Sequence, residues 1–362
     1  MPIPLPETNF RGRRASAIEN DYVRVTVLHE GGHVAEILDK KTGVSPLWIP
    51  PWPSIEPSTY DRARHPEYGN DSESKLLAGI MGHNLCVDMF GGPSEEEAAA
   101  GMTVHGEASV APYDVSADSA GLTQRAHLPV AQLRIERQIR LGAGRAIEIR
   151  ETLENLSASD RPIAWTQHVT LGPPYLERGR TEFRASATRS KVFEGDFGQK
   201  DAYQKRAADF DWPNVPRADR GHMDMRVYNS APSSAGFTTH LMDPHREHAY
   251  FVAFSPASKL AFGYVWHRAD FPWLGIWEEN HSRAGAPWNG KTLTCGMEFG
   301  ASPIPESRRK MIERGSLFSV PACRWIPAKS IVHVRYWAML APAERVPEAL
   351  TWTGENNVSF ES

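Results

Sequence analysis

Between Leu133 and Leu141 the apolar residues Leu133, Ile135, Ile139 and Leu141 alternate with Arg134, Glu136, Gln138 and Arg140. After Gly142-Ala143-Gly144 a second run extends from Arg145 to Leu153. A period of two sends successive side chains to opposite faces, so this stretch predicts antiparallel strands with one buried and one wet face. Tyr22 to Leu28 carries the same pattern, with Val23, Val25 and Val27 on one face, and Gly31-Gly32 turns the chain into His33 to Leu38. A sharp turn over Asp39-Lys40-Lys41-Thr42-Gly43 follows. Tyr250 to Phe254 and Leu260 to Trp266 flank Ser255-Pro256-Ala257-Ser258 as another hairpin, and Ile331 to Ala338 predicts a late strand with Val332, Val334, Tyr336 and Ala338 inward.

Strands thus recur along the whole chain, whereas helix signals are short. Ser94-Glu95-Glu96-Glu97 is a capping box before Ala98 to Ala100, stopped by Gly101. Gln199 to Ala208 and Pro305 to Arg314 are expected as two further surface helices. There is no alternating βαβ pattern, no Gly-rich phosphate loop and no repeat of fixed period. The expected fold class is all-β, a large antiparallel β-sandwich with a few short helices, formed as a single domain over residues 1–362. Long connections such as Pro50 to Ser74 and Asp209 to Met223 are rich in Trp, Pro, Tyr and Asp, as functional or lid loops are.

Composition narrows the partners. Charged residues make up 23% of the 362 and the formal net charge is -4, which gives no basic surface for nucleic acid or a membrane. The three cysteines, Cys86, Cys295 and Cys323, are odd in number and widely spaced, which argues for reduced thiols and against a disulfide framework or a zinc site. No apolar run approaches the ~20 residues of a spanning helix, and Arg13-Arg14 is not followed by the apolar stretch of an export signal. A cytoplasmic location is therefore expected. The 11 Trp offer flat apolar faces with a polar edge, a chemistry suited to sugar rings.

Four segments set a polar or ionisable residue beside turn or aromatic residues: Gly82-His83-Asn84, His105-Gly106-Glu107, Trp165-Thr166-Gln167-His168 and Gly296-Met297-Glu298-Phe299-Gly300. As an ordered set they resemble the aldose 1-epimerases of the galactose mutarotase-like superfamily. Gly31 to Ile37, Thr42-Gly43 and Leu47-Trp48 are similar to the opening hairpin of those enzymes, and His105-Gly106 matches the first histidine motif. Glu154-Asn155-Leu156-Ser157 leads through a polar turn to the second histidine, His168. Leu293 to Gly300, after the aromatic run Phe271 to Trp277, falls where the family carries its glutamate, and Trp325 to Ser330 resembles the turn before its last strand. Two departures stand out. Leu85 follows Asn84 where the family usually has an arginine, and His168 opens Val169-Thr170-Leu171-Gly172 in place of an H-x-Y-F run. The family's hydroxyl-binding aspartate has only Asp211 and Asp243 as candidates.

The resemblance implies interconversion of the anomers of a free sugar. That reaction takes the proton from the C1 hydroxyl and gives one to the ring oxygen, which requires a base and an acid on opposite sides of one C1–O5 unit. Glu298 is expected as the base, near its ordinary pKa, and His168 as the acid, its pKa raised by the carboxylate. His105 and Asn84 are expected to bind the substrate, with Trp277, Trp165 and Trp273 as stacking faces. No metal, nucleotide or other cofactor is called for, and the expected partner is a monosaccharide. Two alternatives share the scaffold: a carbohydrate-binding or sensing protein without catalysis, and a polysaccharide lyase or hydrolase. His267, His281 and Glu278-Glu279 are expected in a solvated loop, and Arg308-Arg309-Lys310 on a charged helix face.

Overall fold

A computed structural model describes residues 3–4, 6–119, 121–142, 144–195, 201–354 and 356–361. Among these residues the chain forms a 13-stranded and an 8-stranded sheet, whose neighbouring strands all pair antiparallel, together with three two-stranded ribbons. The alternating segments read from the sequence occupy adjacent strands. Leu133–Leu141 pairs with Ala146–Asn155, and the latter with Ile331–Pro342, in the smaller sheet. His248–Ser255 and Leu260–His267 continue that sheet as a hairpin. Val23–Leu28 and Val34–Asp39 pair in the larger one.

The two sheets pack face to face over one large apolar cluster. Leu85, Val87, Trp165, Val169, Met297 and Phe299 come from the larger sheet, and Ile135, Ile139, Ile149, Phe251, Phe262 and Tyr336 from the smaller. Stacking is dense where the sheets meet, with the rings of Trp266 and Phe299 4.2 Å apart. Full burial of each such side chain contributes roughly 1.5–3 kcal/mol.

Within this apolar layer lies a buried polar network. Arg137 donates to Glu151 at 2.7 Å, and Trp165 Nε1 and Gln167 Nε2 donate to the same carboxylate at 2.8 and 2.7 Å. The Tyr336 hydroxyl lies 2.9 Å from both Glu151 Oε1 and Gln167 Oε1. Gln167 Oε1 also accepts from His83 Nε2 at 2.9 Å, which leaves His83 Nδ1 to accept from the Tyr264 hydroxyl at 3.0 Å. Every charge here is matched, the condition under which a buried ion pair is tolerated.

A second apolar cluster covers the other face of the larger sheet. There Trp48, Leu76, Leu77, Ile80 and Phe90 from the loops after the opening hairpin meet Cys86, Phe237, Trp277 and Trp288. The large sheet is thus covered on both sides, and the candidate site lies on this second side.

The short helices follow their caps. Ser94 and Glu97 complete the capping box of Glu95–Ala99. Arg308–Arg314 starts only after Ser307, whose hydroxyl accepts from Lys310 N, so Pro305 and Glu306 stay outside the helix. The helix expected from Gln199 to Ala208 is absent over 201–208, where Ala202 and Gln204 instead form isolated bridges to Ala235 and Arg217. Gln199 and Lys200 lie outside the described residues. No helix among the described residues is long and apolar enough to cross a membrane.

Candidate functional site

Strand alternation decides which residues of the larger sheet reach its loop-covered face. On Arg161–Leu171 the even-numbered residues Thr166, His168 and Thr170 point there, and Trp165, Gln167 and Val169 point into the sandwich. The register aligns Asn84 with His168, His168 with Glu298, and Glu298 with Gly275, so these four form one row across four adjacent strands. Two residues apart in sequence can share a face, but a polar row like this needs room. Gly275 and Gly296 supply it: a Cβ on Gly275 would meet the Phe237 ring at 2.8 Å, and one on Gly296 would overlap Glu298 Oε1.

Glu298 Oε1 and His168 Nε2 lie 3.1 Å apart, with both side chains almost fully buried. The contact lacks the alignment of a hydrogen bond, so Glu298 Oε1 is without such a partner among the described residues. The far nitrogen of the imidazole, Nδ1, is 3.0 Å from the Thr170 hydroxyl, which fixes the ring plane. His105 sits beside the pair, its ring centroid 4.5 Å from that of His168, and Asn84 Nδ2 donates to His105 Nδ1 at 3.1 Å. The His-Gly dipeptide has a backbone reason. His105 has φ 67 and Gly106 φ 76, and a Cβ on Gly106 would collide with the Val87 carbonyl, so the chain can lie this close to the sheet only with glycine there.

Above the row is a cavity of about 280 Å³. His105, His168 and Glu298 form its polar floor, with Trp277 and Phe237 beside them, while Leu76, Leu77, Ile80, Phe90 and Trp288 form the apolar walls. Arg283 and Glu73 stand at its rim as an ion pair of 3.3 Å, and the guanidinium lies 4.5 Å from the Trp288 ring centroid. The volume is near the lower end of ~300–1,000 Å³ small-molecule sites, the scale of one ring-sized ligand. The indole Nε1 of Trp277 is buried and without a hydrogen-bond partner among the described residues, although the ring borders this cavity.

Burial sets the protonation of the floor. Desolvation pushes the Glu298 carboxyl well above the usual carboxylate range. It lowers His168 to about 4 and His105 well below the ordinary imidazole value. Burial thus favours the uncharged form of each group, a protonated carboxyl and a neutral imidazole. This reverses the sequence-based expectation of a glutamate near its ordinary pKa and a raised histidine: loss of hydration outweighs the attraction between the two partners.

The structure brings together His168, Glu298, His105 and Trp277 at the cavity, with Asn84 directly behind His105. It does not bring Trp165 there. Trp165 is three residues before His168, an odd step that turns it to the opposite face, where it donates to Glu151. Trp273 shares the face of Trp277 but lies at the far end of the strand, donating to the Pro321 carbonyl. Leu85 points into the sandwich core, so a longer residue at that position would face away from the cavity. Asp211 and Asp243 are also elsewhere: Asp211 is exposed on a strand paired with Ala187–Val192, and Asp243 accepts from His245 N. Glu278 and Glu279 are buried in the Trp273–Asn280 strand, contrary to the solvated loop expected.

The Asn155 and Trp325 to Ser330 motifs have a shared structural use. Asn155 Nδ2 donates to the carbonyls of Ile326 and Pro327, both at 3.1 Å, and pins that turn. Sequence reasoning missed Phe237, Arg283 and Trp288. The cation above an indole was a usable signal, because Arg283 and Trp288 flank a Gly/Pro-rich loop directly after the Trp277 strand.

No family model matches the chain, and none of the curated proteins matches it. Solved structures do. A Klebsiella pneumoniae protein assigned provisionally to the aldose 1-epimerases has a TM-score of 0.66 at 13% identity, over 93% of this chain and 82% of that one. A galactose mutarotase-like protein from Lactobacillus casei has a TM-score of 0.58 at 13% identity, over 90% of this chain and 100% of that one. Another, from Clostridium acetobutylicum, has a TM-score of 0.58 at 11% identity, over 93% and 98% of the two chains. At such identities the likeness speaks for the architecture, and this chain has the fold of the galactose mutarotase-like proteins.

Proposed function

We propose that the protein is an aldose 1-epimerase-like isomerase that interconverts the anomers of a free monosaccharide, with Glu298 and His168 as its acid–base pair. The observation that carries this is the 3.1 Å placement of the two groups on the floor of a ring-sized cavity. The two groups touch on one floor of the cavity instead of facing each other across a sugar as expected from the sequence; because O1 and O5 are both bonded to C1, a ring lying over that floor can present both oxygens to the pair.

The resting protonation suggests the direction of the first step. The Glu298 carboxyl gives its proton to the ring oxygen while His168 Nε2 takes the proton of the C1 hydroxyl, and the C1–O5 bond breaks to leave an open aldehyde. The pair is now a carboxylate and an imidazolium in contact, each stabilising the other in a dry site. Rotation about C1–C2 presents the other face of the aldehyde. The carboxylate then recovers the proton from the O5 hydroxyl, His168 returns one to O1, and the ring recloses as the other anomer. Protons balance over the cycle, and no group leaves the sugar. The Thr170 hydroxyl, able to accept from Nδ1, supports the tautomer with a lone pair on Nε2.

Polarimetry or NMR exchange on a panel of hexoses and pentoses tests this reading. Anomer equilibration faster than in buffer, and lost in Glu298→Gln and His168→Ala, supports it. Sugar-dependent thermal stabilisation of the wild type with no rate effect selects a binding protein on the same fold instead.

A further inference from the structure

The smaller sheet carries a cluster that the catalytic reading does not use. His248 and His267 are cross-strand partners at the open end of their hairpin, with ring centroids 4.7 Å apart. Glu247 stands next to them, and one ligand atom from each of the three side chains lies within 4.8 Å of the others. Trp352, from the Ala349–Thr353 strand, covers both imidazoles, its centroid 4.7 Å from that of His248 and 4.4 Å from that of His267.

Two further observations bear on what this cluster could hold. His248 Nε2 is buried and has no hydrogen-bond partner among the described residues, a costly state for an imidazole nitrogen unless something else satisfies it. The cation nearby, Arg335, 5.3 Å from the Trp352 ring centroid, is paired with Glu148.

We infer that Glu247, His248 and His267 form a binding site for one divalent transition-metal ion, with two imidazole nitrogens and a carboxylate oxygen as ligands. Such a donor set suits Zn²⁺, Ni²⁺ or Cu²⁺ over the harder Mg²⁺ and Ca²⁺. Of the three ligands Glu247 is the exposed one, on the solvent side of the site. The ion would fasten the hairpin end beneath Trp352 and stabilise the folded chain by mass action.

Calorimetric titration of the full chain with Zn²⁺ at pH 7.5 reads the site directly. One equivalent is expected to bind, with affinity falling on the order of tenfold or more in Glu247→Ala, as even outer partners of metal sites cost 10–100-fold. His248→Asn/His267→Asn is expected to abolish binding. Titration with Ni²⁺, followed by tryptophan fluorescence, supplies a second readout: the ion should quench emission in the wild type, and Trp352→Phe should remove most of that quench. Absence of stoichiometric binding overturns the inference, as does a double-histidine variant that retains wild-type stoichiometry and affinity. An undiminished quench in Trp352→Phe overturns it too. Should the double variant fail to fold, Glu247→Ala, at an exposed residue, and Trp352→Phe, which keeps an aromatic ring at a buried one, decide the outcome.

Discussion

Gly296 leaves empty the space that the Glu298 carboxyl occupies: a methyl group on Gly296 would stand inside the van der Waals radius of Glu298 Oε1 and 3.2 Å from Trp277 Cβ. The backbone at Gly296 is outside the left-handed region, so alanine meets no conformational obstacle there, only this collision. Gly296→Ala is therefore expected to fold and to displace the carboxyl from His168. Loss of a positioned acid or base lowers rate by roughly 10²–10⁴-fold. Polarimetry should show kcat reduced toward that range while circular dichroism and Tm stay close to wild type. Unchanged kcat would mean that the carboxyl position is not used.

The pH profile follows from the two displaced pKa values. In the proposed mechanism His168 is the base while neutral, and burial holds it at about 4, so activity should persist on the acid side well below the ordinary imidazole value of 6.5. Glu298 is then the acid while protonated, and burial raises it well above 4.5, so activity should fall as pH rises through that elevated value. The expected log kcat/KM plot, corrected for spontaneous mutarotation, has an acid limb near pH 4 and a basic limb above the carboxylate range. An acid limb near 6.5 would instead assign control to an imidazole in contact with solvent.

The roles just argued show what the sequence could and could not convey. Alternation gave the strands, their hairpins and the sandwich, because a half-buried strand writes its two faces directly into residue order. His168 and Glu298 were legible as a pair through the order of their motifs, and the register confirms that they are neighbours. Trp165 was misplaced although the same alternation settles it, since an odd step from His168 turns a side chain to the other face. Arg283, Trp288 and Phe237 were not legible, because what brings them over the cavity is the path of loops between distant strands. The protonation of Glu298 and His168 depends on how completely those loops exclude water, a property of the packed molecule alone.

Trp277 is expected as a stacking face, and its Nε1, buried and without a hydrogen-bond partner among the described residues in a side chain that borders the cavity, makes a donor role testable as well. Trp277→Phe keeps an aromatic face and deletes the N–H. A neutral hydrogen bond contributes about 0.5–1.5 kcal/mol net, so substrate KM or sugar Kd should rise by roughly two- to tenfold, since ~1.4 kcal/mol corresponds to tenfold. Titration calorimetry with the sugar that the wild type binds best checks this. Equal affinity in the two proteins would return Trp277 to a stacking role only.

The Arg137–Glu151 network lies immediately behind the strand that carries His168, since Gln167 and His168 are neighbours on opposite faces of it. Removing one partner of a buried ion pair leaves the other charge unmatched and costs about 3–5 kcal/mol. Arg137→Met leaves Glu151 with its donors from Trp165, Gln167 and Tyr336 but no countercharge. Denaturant unfolding should show a loss of that size, with the midpoint lowered and the slope unchanged. A paired change, Arg137→Met with Glu151→Gln, removes both charges and should recover part of the loss. If the single and double variants are equally unstable, the network supports the sheet through packing and not through charge matching. The kcat of the surviving folded fraction then shows whether His168 depends on the rigidity behind it.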